Sequence, residues 1–180
     1  MAVNQFNLND GQRAERKLLI TVAEWTEGTG SSATQVREIL GKRIEDSAIE
    51  YNADISTITD ILGHNYTDVN KTQPEQSFEP FTVMGGSKLA AMLNDIRRRN
   101  AITELGQFTV YIITAFIGDA TNGYDAEKHV ECTFTYDSIG GDTHVDFPIT
   151  VHFSNNITTG TVDKLTDDFT FTPDVTTSNG

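Results

Sequence analysis

Apolar and polar residues alternate one by one through three separate stretches, and a period of two confines such a chain to half-buried β-strands. In the first, Ile49, Tyr51, Ala53 and Ile55 oppose Glu50, Asn52, Asp54 and Ser56. In the second, Val130, Cys132, Phe134 and Tyr136 oppose Glu131, Thr133 and Thr135; in the third, Phe147, Ile149, Val151 and Phe153 oppose Asp146, Pro148, Thr150 and His152. Each predicts one packed and one wet face. A fourth stretch, Phe108–Ile117 (FTVYIITAFI), is apolar on both sides and predicts a strand buried on both. The first pattern shifts phase near Thr57, where a bulge or bend is expected before Ile58 and Ile61. Pro148 cannot donate to a ladder, which puts it at an edge, a bulge or a strand start.

One segment switches to helical period. Leu89, Met92, Leu93 and Ile96 form a single stripe after Gly85-Gly86, with Ser87 placed as N-cap. Arg97, Arg98 and Arg99 fall in the last turn, where cations suit the negative end of the helix dipole. They serve either as helix termination on a solvated face or as salt-bridge donors to an acidic neighbouring chain.

The rest is predicted as connections. Residues 1–34 are expected to be irregular, with Leu18–Trp25 forming a short strand or helical turn and TEGTGSS a flexible link. Val36–Leu40 is a candidate strand ended by Gly41, and Leu62–Pro80 is a long polar loop, far beyond the usual 4–6 residues. Gly118–Asp125, Gly140-Gly141-Asp142, and Asn155-Asn156 with Gly160 are expected turns; Phe169–Phe171 is a weak last strand before a polar tail. The sum is one mainly β domain of antiparallel strands with one helix, in which two packed sheets or a partial barrel would bury the alternating faces.

Charge narrows the partners. Of the net −13, −10 lies after Asn100, where Lys128 and Lys164 face twelve carboxylates. Such a surface repels nucleic acid, whose binding needs Lys and Arg to release counterions. It serves solubility, or a protein that lies near DNA without sticking to it. The single cysteine, Cys132, cannot form an internal disulfide and is expected as a small buried residue. The first residues, MAVNQFNLNDGQRAERK, lack a signal-peptide core, and no run nears the ~20 apolar residues of a membrane helix. Assembly in the cytoplasm is the expectation.

No catalytic pattern rises above background. There is no G-x-S-x-G elbow, and Gly140-Gly141 lacks the Lys-Ser/Thr of a phosphate loop. His64, His129, His144 and His152 are scattered over loop and alternating positions without metal-ligand spacing. An enzyme is not expected, nor a metal or cofactor.

A series of segments resembles the major tail (tail tube) proteins of long-tailed, non-contractile bacteriophages. From Arg43 to Val162 it runs RIEDSAIEYNADISTITDILG, NYTDVNKTQPEQSFEPF, KLAAMLNDIRRRNA, FTVYIITAFI, YDAEKHVECTF and IGGDTHVDFPITVHFSNNITTGTV, carried by order and spacing rather than by any one piece. The resemblance implies an antiparallel β-sandwich of two packed sheets with one flanking helix, a long extended loop and terminal arms. It divides the chain into an N-terminal arm (1–34), a tail tube domain (35–166) and a C-terminal arm (167–180). Six subunits would close a ring, and rings would stack into the hollow tube of the virion through which double-stranded DNA is ejected without specific binding.

Partners implied are sister copies, the tape measure protein, the terminator and the distal tail protein. Assembly would take place in the bacterial host cytoplasm with no membrane involved. The loop 62–80 would reach the adjacent ring through Asn65, Tyr66, Thr67, Asp68, Asn70, Lys71, Gln73, Glu75 and Gln76. Glu50, Asn52, Asp54, Glu131, Thr133, Thr135, Asp146 and Thr150 are candidates to face an anionic lumen, and Arg97, Arg98 and Arg99 to bridge subunits. Alternatives are another phage ring protein, such as a tail terminator or capsid-decorating protein, or a carbohydrate-binding β-sandwich.

Overall fold

A computed structural model describes residues 6–28 and 30–174. The strands are β1 (Leu19–Glu27), β2 (Thr34–Ile39), β3 (Ile49–Glu50), β4 (Asp54–Thr59), β5 (Asn65–Lys71), β6 (Glu75–Phe78), β7 (Phe108–Asp119), β8 (Gly123–Tyr136), β9 (Ile149–His152), β10 (Ile157–Val162) and β11 (Phe171–Pro173); the helix α1 spans Lys88–Arg99. All described pairings are antiparallel. A larger sheet, β2-β1-β7-β8-β10-β11, packs against a smaller one, β8-β9-β6-β3, as a β-sandwich with one helix.

Strand β8 belongs to both sheets. Its first part lies between β7 and β10, and its last part pairs with β9. The change of sheet falls at a bulge: Val110 pairs with His129 but Phe108 with Cys132, and Glu131 there takes φ 60°. An extra residue bends a strand and raises its twist. The bulge also splits the alternation expected over Val130–Tyr136, so His129, not Val130, is buried before it.

The main core lies between the sheets. Ala23, Trp25, Phe108, Val110 and Ile112 of the larger sheet meet Phe78, Phe134, Ile149 and Val151 of the smaller one, and α1 adds Leu89, Leu93 and Ile96. The helix begins as its sequence dictates: Ser87 Oγ accepts from Ala90 N, while Glu38 takes Ser87 Oγ and Leu89 N at 2.8 Å each. It ends at Asn100 in the left-handed conformation, whose N–H returns to the carbonyls of Ile96 and Arg97. Leu93 is fully buried, so Leu93→Ala should lower unfolding free energy by about 2–5 kcal/mol in a urea titration.

Several connections prove to be structure. Of the two alternatives expected over Leu18–Trp25 the strand is found: β1 sits between β2 and β7 with five consecutive buried residues, so the segment is a central strand and not part of an irregular arm. The expected flexible link TEGTGSS begins inside β1: Thr26 and Glu27 pair with Gln35 and Thr34 of β2. A second cluster, Val22, Tyr111, Ile113, Ala126 and Val162, covers the other face of the larger sheet beneath Phe169. The region assigned to a C-terminal arm therefore starts as part of the fold. The first five residues and those beyond 174, also assigned to the arms, lie outside the described residues. Gly160 lies inside β10, not in a turn; a Cβ there would meet Thr172 O at 2.3 Å and the Phe171 ring at 2.8 Å.

Candidate functional site

The expected strand over Ile49–Ser56 is interrupted. Asn52 takes φ 43°, and its side chain donates to Gln73 O (3.3 Å) and Glu75 Oε1 (2.9 Å). Gln73 N donates to Tyr51 O at 3.0 Å, closing the neck of the segment between them. Beyond the neck, β4 and β5 pair, among the described residues, only with each other, as a separate two-stranded sheet. The polar loop expected over 62–80 is thus the return strand of a projecting hairpin followed by a sheet strand, β6.

The tip is organised by Asp60. Its Oδ1 accepts the N–H of Leu62 (2.8 Å) and of His64 (2.9 Å), and these backbone bonds, His64's foremost, hold its carboxyl below the usual range. Gly63 supplies the positive φ of 83° that the turn needs.

Alternation along this hairpin puts apolar side chains on both faces. Ile55 pairs with Val69 on one, and Ile58 with Tyr66 on the other. All four are more than half exposed, and at the tip Ile61 and Leu62 are more exposed still. A lone two-stranded hairpin is at best marginally stable in water. Among the described residues neither face and neither edge is covered, so the hairpin exposes an unusual share of apolar surface and two open strand edges.

The residues expected at ring contacts divide accordingly. Asn65, Tyr66, Thr67, Asp68, Asn70 and Lys71 all lie exposed on β5, and Gln73 forms the neck. Glu75 and Gln76 do not belong with them. Both are on β6 inside the smaller sheet, and Gln76 is fully buried, accepting from Thr21 Oγ1 (2.8 Å) and donating to Ser47 Oγ (3.1 Å). A buried amide with both ends satisfied is a structural tie between the two sheets. Ile55, expected on a packed face, is exposed, and the irregularity expected near Thr57 falls between Asp54 and Ile55; Ile58, Ile61, Leu62 and Val69 were not among the expected contact residues.

The lumen candidates also divide. Register places Glu50, Glu75, His152 and Thr133 in one row, and Ser77, Thr150 and Thr135 in the next, on the outer face of the smaller sheet. His152 Nδ1 lies 3.2 Å from Glu75 Oε2 and its Nε2 3.1 Å from Thr135 Oγ1; Ser77 Oγ and Thr150 Oγ1 are 3.0 Å apart. So Glu50, Thr133, Thr135 and Thr150 share a face, with Asn52 beside it at the neck. Asp54 lies instead at the hairpin base and Glu131 in the β8 bulge. Asp146 bridges to Gly140 and accepts from Thr82 Oγ1 at 2.7 Å. The shared face is chiefly hydroxylic: of the four acids among the candidates, Glu50 alone lies on it.

A second polar strip was not foreseen. On the larger sheet, Thr114, Asp125 and Thr161 align, and Glu127 aligns with Thr159. His129 Nε2, 3.3 Å away, holds the Glu127 carboxyl below its usual range. Its Nδ1 faces Ser154 O at 3.1 Å, and its ring packs on Phe153.

The arginine triplet is only partly available to neighbours. Arg99 is held within the chain by Asp95 (2.7 Å) and by both Glu104 oxygens (2.8 Å each), which lowers the Glu104 carboxyl and raises the guanidinium. Arg97 donates to Asn94 Oδ1 at 2.9 Å, and Arg98 is exposed. Of the three, Arg99 drops out as a bridge to another subunit because its carboxylates are already supplied.

Among the described residues no group of three or more His, Cys, Asp or Glu could hold a metal ion, and no helix is long and apolar enough to cross a membrane. Cys132 is fully buried, and that burial pushes its thiol up. Comparison of the chain with family models, with curated proteins and with solved structures found no match.

Proposed function

We propose that this chain is a structural subunit of a phage-type tail tube, a brick that closes into rings and stacks into a hollow conduit for DNA. The observation that carries the reading is the hairpin over residues 54–71, which projects from a packed sandwich with apolar side chains on both faces. An element of this kind gains its stability from a partner, and sister copies are the partner that a self-assembling tube supplies. The outer face of the smaller sheet suits the lumen: it offers Thr, Ser, Glu50 and Glu75, and only His152 among bases. Phosphates find no lysine or arginine among the residues of that face to neutralise them, so DNA would slide rather than bind.

The direct test is electron microscopy of the concentrated protein across a range of salt. Rings and tubes of indefinite length are expected. Assembly that stops at a single ring would favour a terminator, and a monomer under every condition would remove the reading.

A further inference from the structure

The hairpin has a candidate receptor on the same chain, at the other end of the molecule. The ladder that begins at Glu75↔His152 continues past Phe78↔Ile149 to Phe147 N→Phe81 O, the Thr82↔Asp146 bridge and Val83 N→Val145 O. Residues 79–80 bend, so full strand spacing, roughly 25 Å, is an upper bound on the separation of Glu75 and Val83. The hairpin neck sits at the first end, bonded to Glu75. At the far end opens a cleft of about 360 Å³ with Ile39, Phe81 and Met84 in its lining. A donor at one end and a receptor at the other is the arrangement of a head-to-tail contact, which propagates without limit along an axis.

Charge fits as well. The hairpin carries Asp54, Asp60 and Asp68 against Lys71, a net of −2. The cleft is rimmed by Lys42 and Lys88, both exposed and neither in an ion pair with a described residue. Of its other charges Arg37 is paired with Glu24 and Glu38 caps α1, which leaves the exposed Asp167 as the one carboxylate set against the two lysines. The two lysines outnumber the free Asp167 at this cleft, and on a chain of net −13 such a locally positive rim beside apolar side chains is where an acidic, apolar element can sit.

We infer that the hairpin tip of one copy, led by Ile61 and Leu62, docks into the Ile39–Phe81–Met84 cleft of the copy stacked above or below it, with Lys42 and Lys88 facing the hairpin carboxylates. This rests on the stacking reading above and adds the receptor to it. The occupant is a second copy, because hairpin and cleft are complementary in charge and lie at opposite ends of one ladder on the same chain.

The test uses the full chain, in which the native Cys132 is buried. Leu62→Cys with Met84→Cys in one chain should yield, on oxidation of assembled tubes, a ladder of disulfide-linked multimers. Either single variant, or Leu62→Cys with Ile102→Cys, should give none. Separately, Lys42→Glu with Lys88→Glu should raise the concentration needed for tube formation tenfold or more while leaving circular dichroism and the urea midpoint unchanged. Tubes that form normally in the charge variant, and that cross-link no better through Met84 than through Ile102, would overturn the receptor and leave the tube reading standing. Unmodified protein that never assembles would remove both.

Discussion

Replacing residues 53–72 with a short Gly-Ser turn should abolish tubes and leave a folded, soluble chain. Tyr51 O and Gln73 N already meet at 3.0 Å, so the neck can be closed without moving β3 or β6. Shortening a loop lowers its closure entropy slightly, and the hairpin lends nothing to either hydrophobic cluster. The urea midpoint should therefore stay within the equivalent of about 1 kcal/mol. Assembly should respond on another scale. Burying one large apolar side chain contributes about 1.5–3 kcal/mol, and six such side chains project from this hairpin. Even two of them lost from each contact, about 4 kcal/mol, lowers its equilibrium constant about a thousandfold. Electron micrographs should then show at most unstacked rings. Normal tubes from this variant would mean that the hairpin's apolar faces serve something other than stacking. A milder variant, Ile58→Ser with Tyr66→Ser, should weaken assembly through one face alone.

How much of this was legible depended on whether neighbouring residues answered to one period. The alternation over 147–153, the doubly apolar run over 108–117 and the helix with its Ser87 cap each carry a local rule, and each appears close to its expected bounds. β1 was obscured because it is buried on both faces, yet its Thr21 and Glu24 look like surface residues in sequence. Their burial is compensated by distant partners: Gln76 for Thr21, and Arg37 and Tyr111 for Glu24. No local pattern can announce a partner 55 or 87 residues away.

The candidate site suffered from the reverse problem. The polarity of 62–80 reads as loop character, but Asn and Thr on β5 are tolerated because the strand is open to solvent, and its pairing with β4 depends on the turn at Asp60 and Gly63. Gln76 looked like its exposed neighbours and is buried; only the register with Val151 distinguishes it.

Arg37→Met should be among the most damaging single changes, costing about 3–5 kcal/mol in unfolding free energy. Glu24 is 5% exposed on β1, and Arg37 Nε reaches its Oε2 at 2.6 Å. Tyr111 lies against the same carboxylate at 3.3 Å, and its hydroxyl is pushed up to about 12, first by burial and then by the Glu24 charge. It remains a neutral donor at any ordinary pH and cannot take over the charge.

Arg37 also holds the chain's last segment. Its Nη1 donates to Phe169 O at 2.6 Å, and its guanidinium lies 4.3 Å from the Phe169 ring centroid and 5.3 Å from that of Tyr111. Removing it leaves a buried carboxylate unpaired and loosens Phe169 from the cluster over the larger sheet. Urea titration should show the loss, and limited proteolysis should cut near residues 163–170 before anything else. The double change Arg37→Met with Glu24→Leu separates the two contributions. Once the carboxylate is gone, most of the stability should return, because the uncompensated charge is the larger penalty. Early proteolysis should persist, since the anchor at Phe169 O is still missing. A double variant as unstable as the single would show that Arg37 acts through packing on Phe169 and Tyr111, not through its charge.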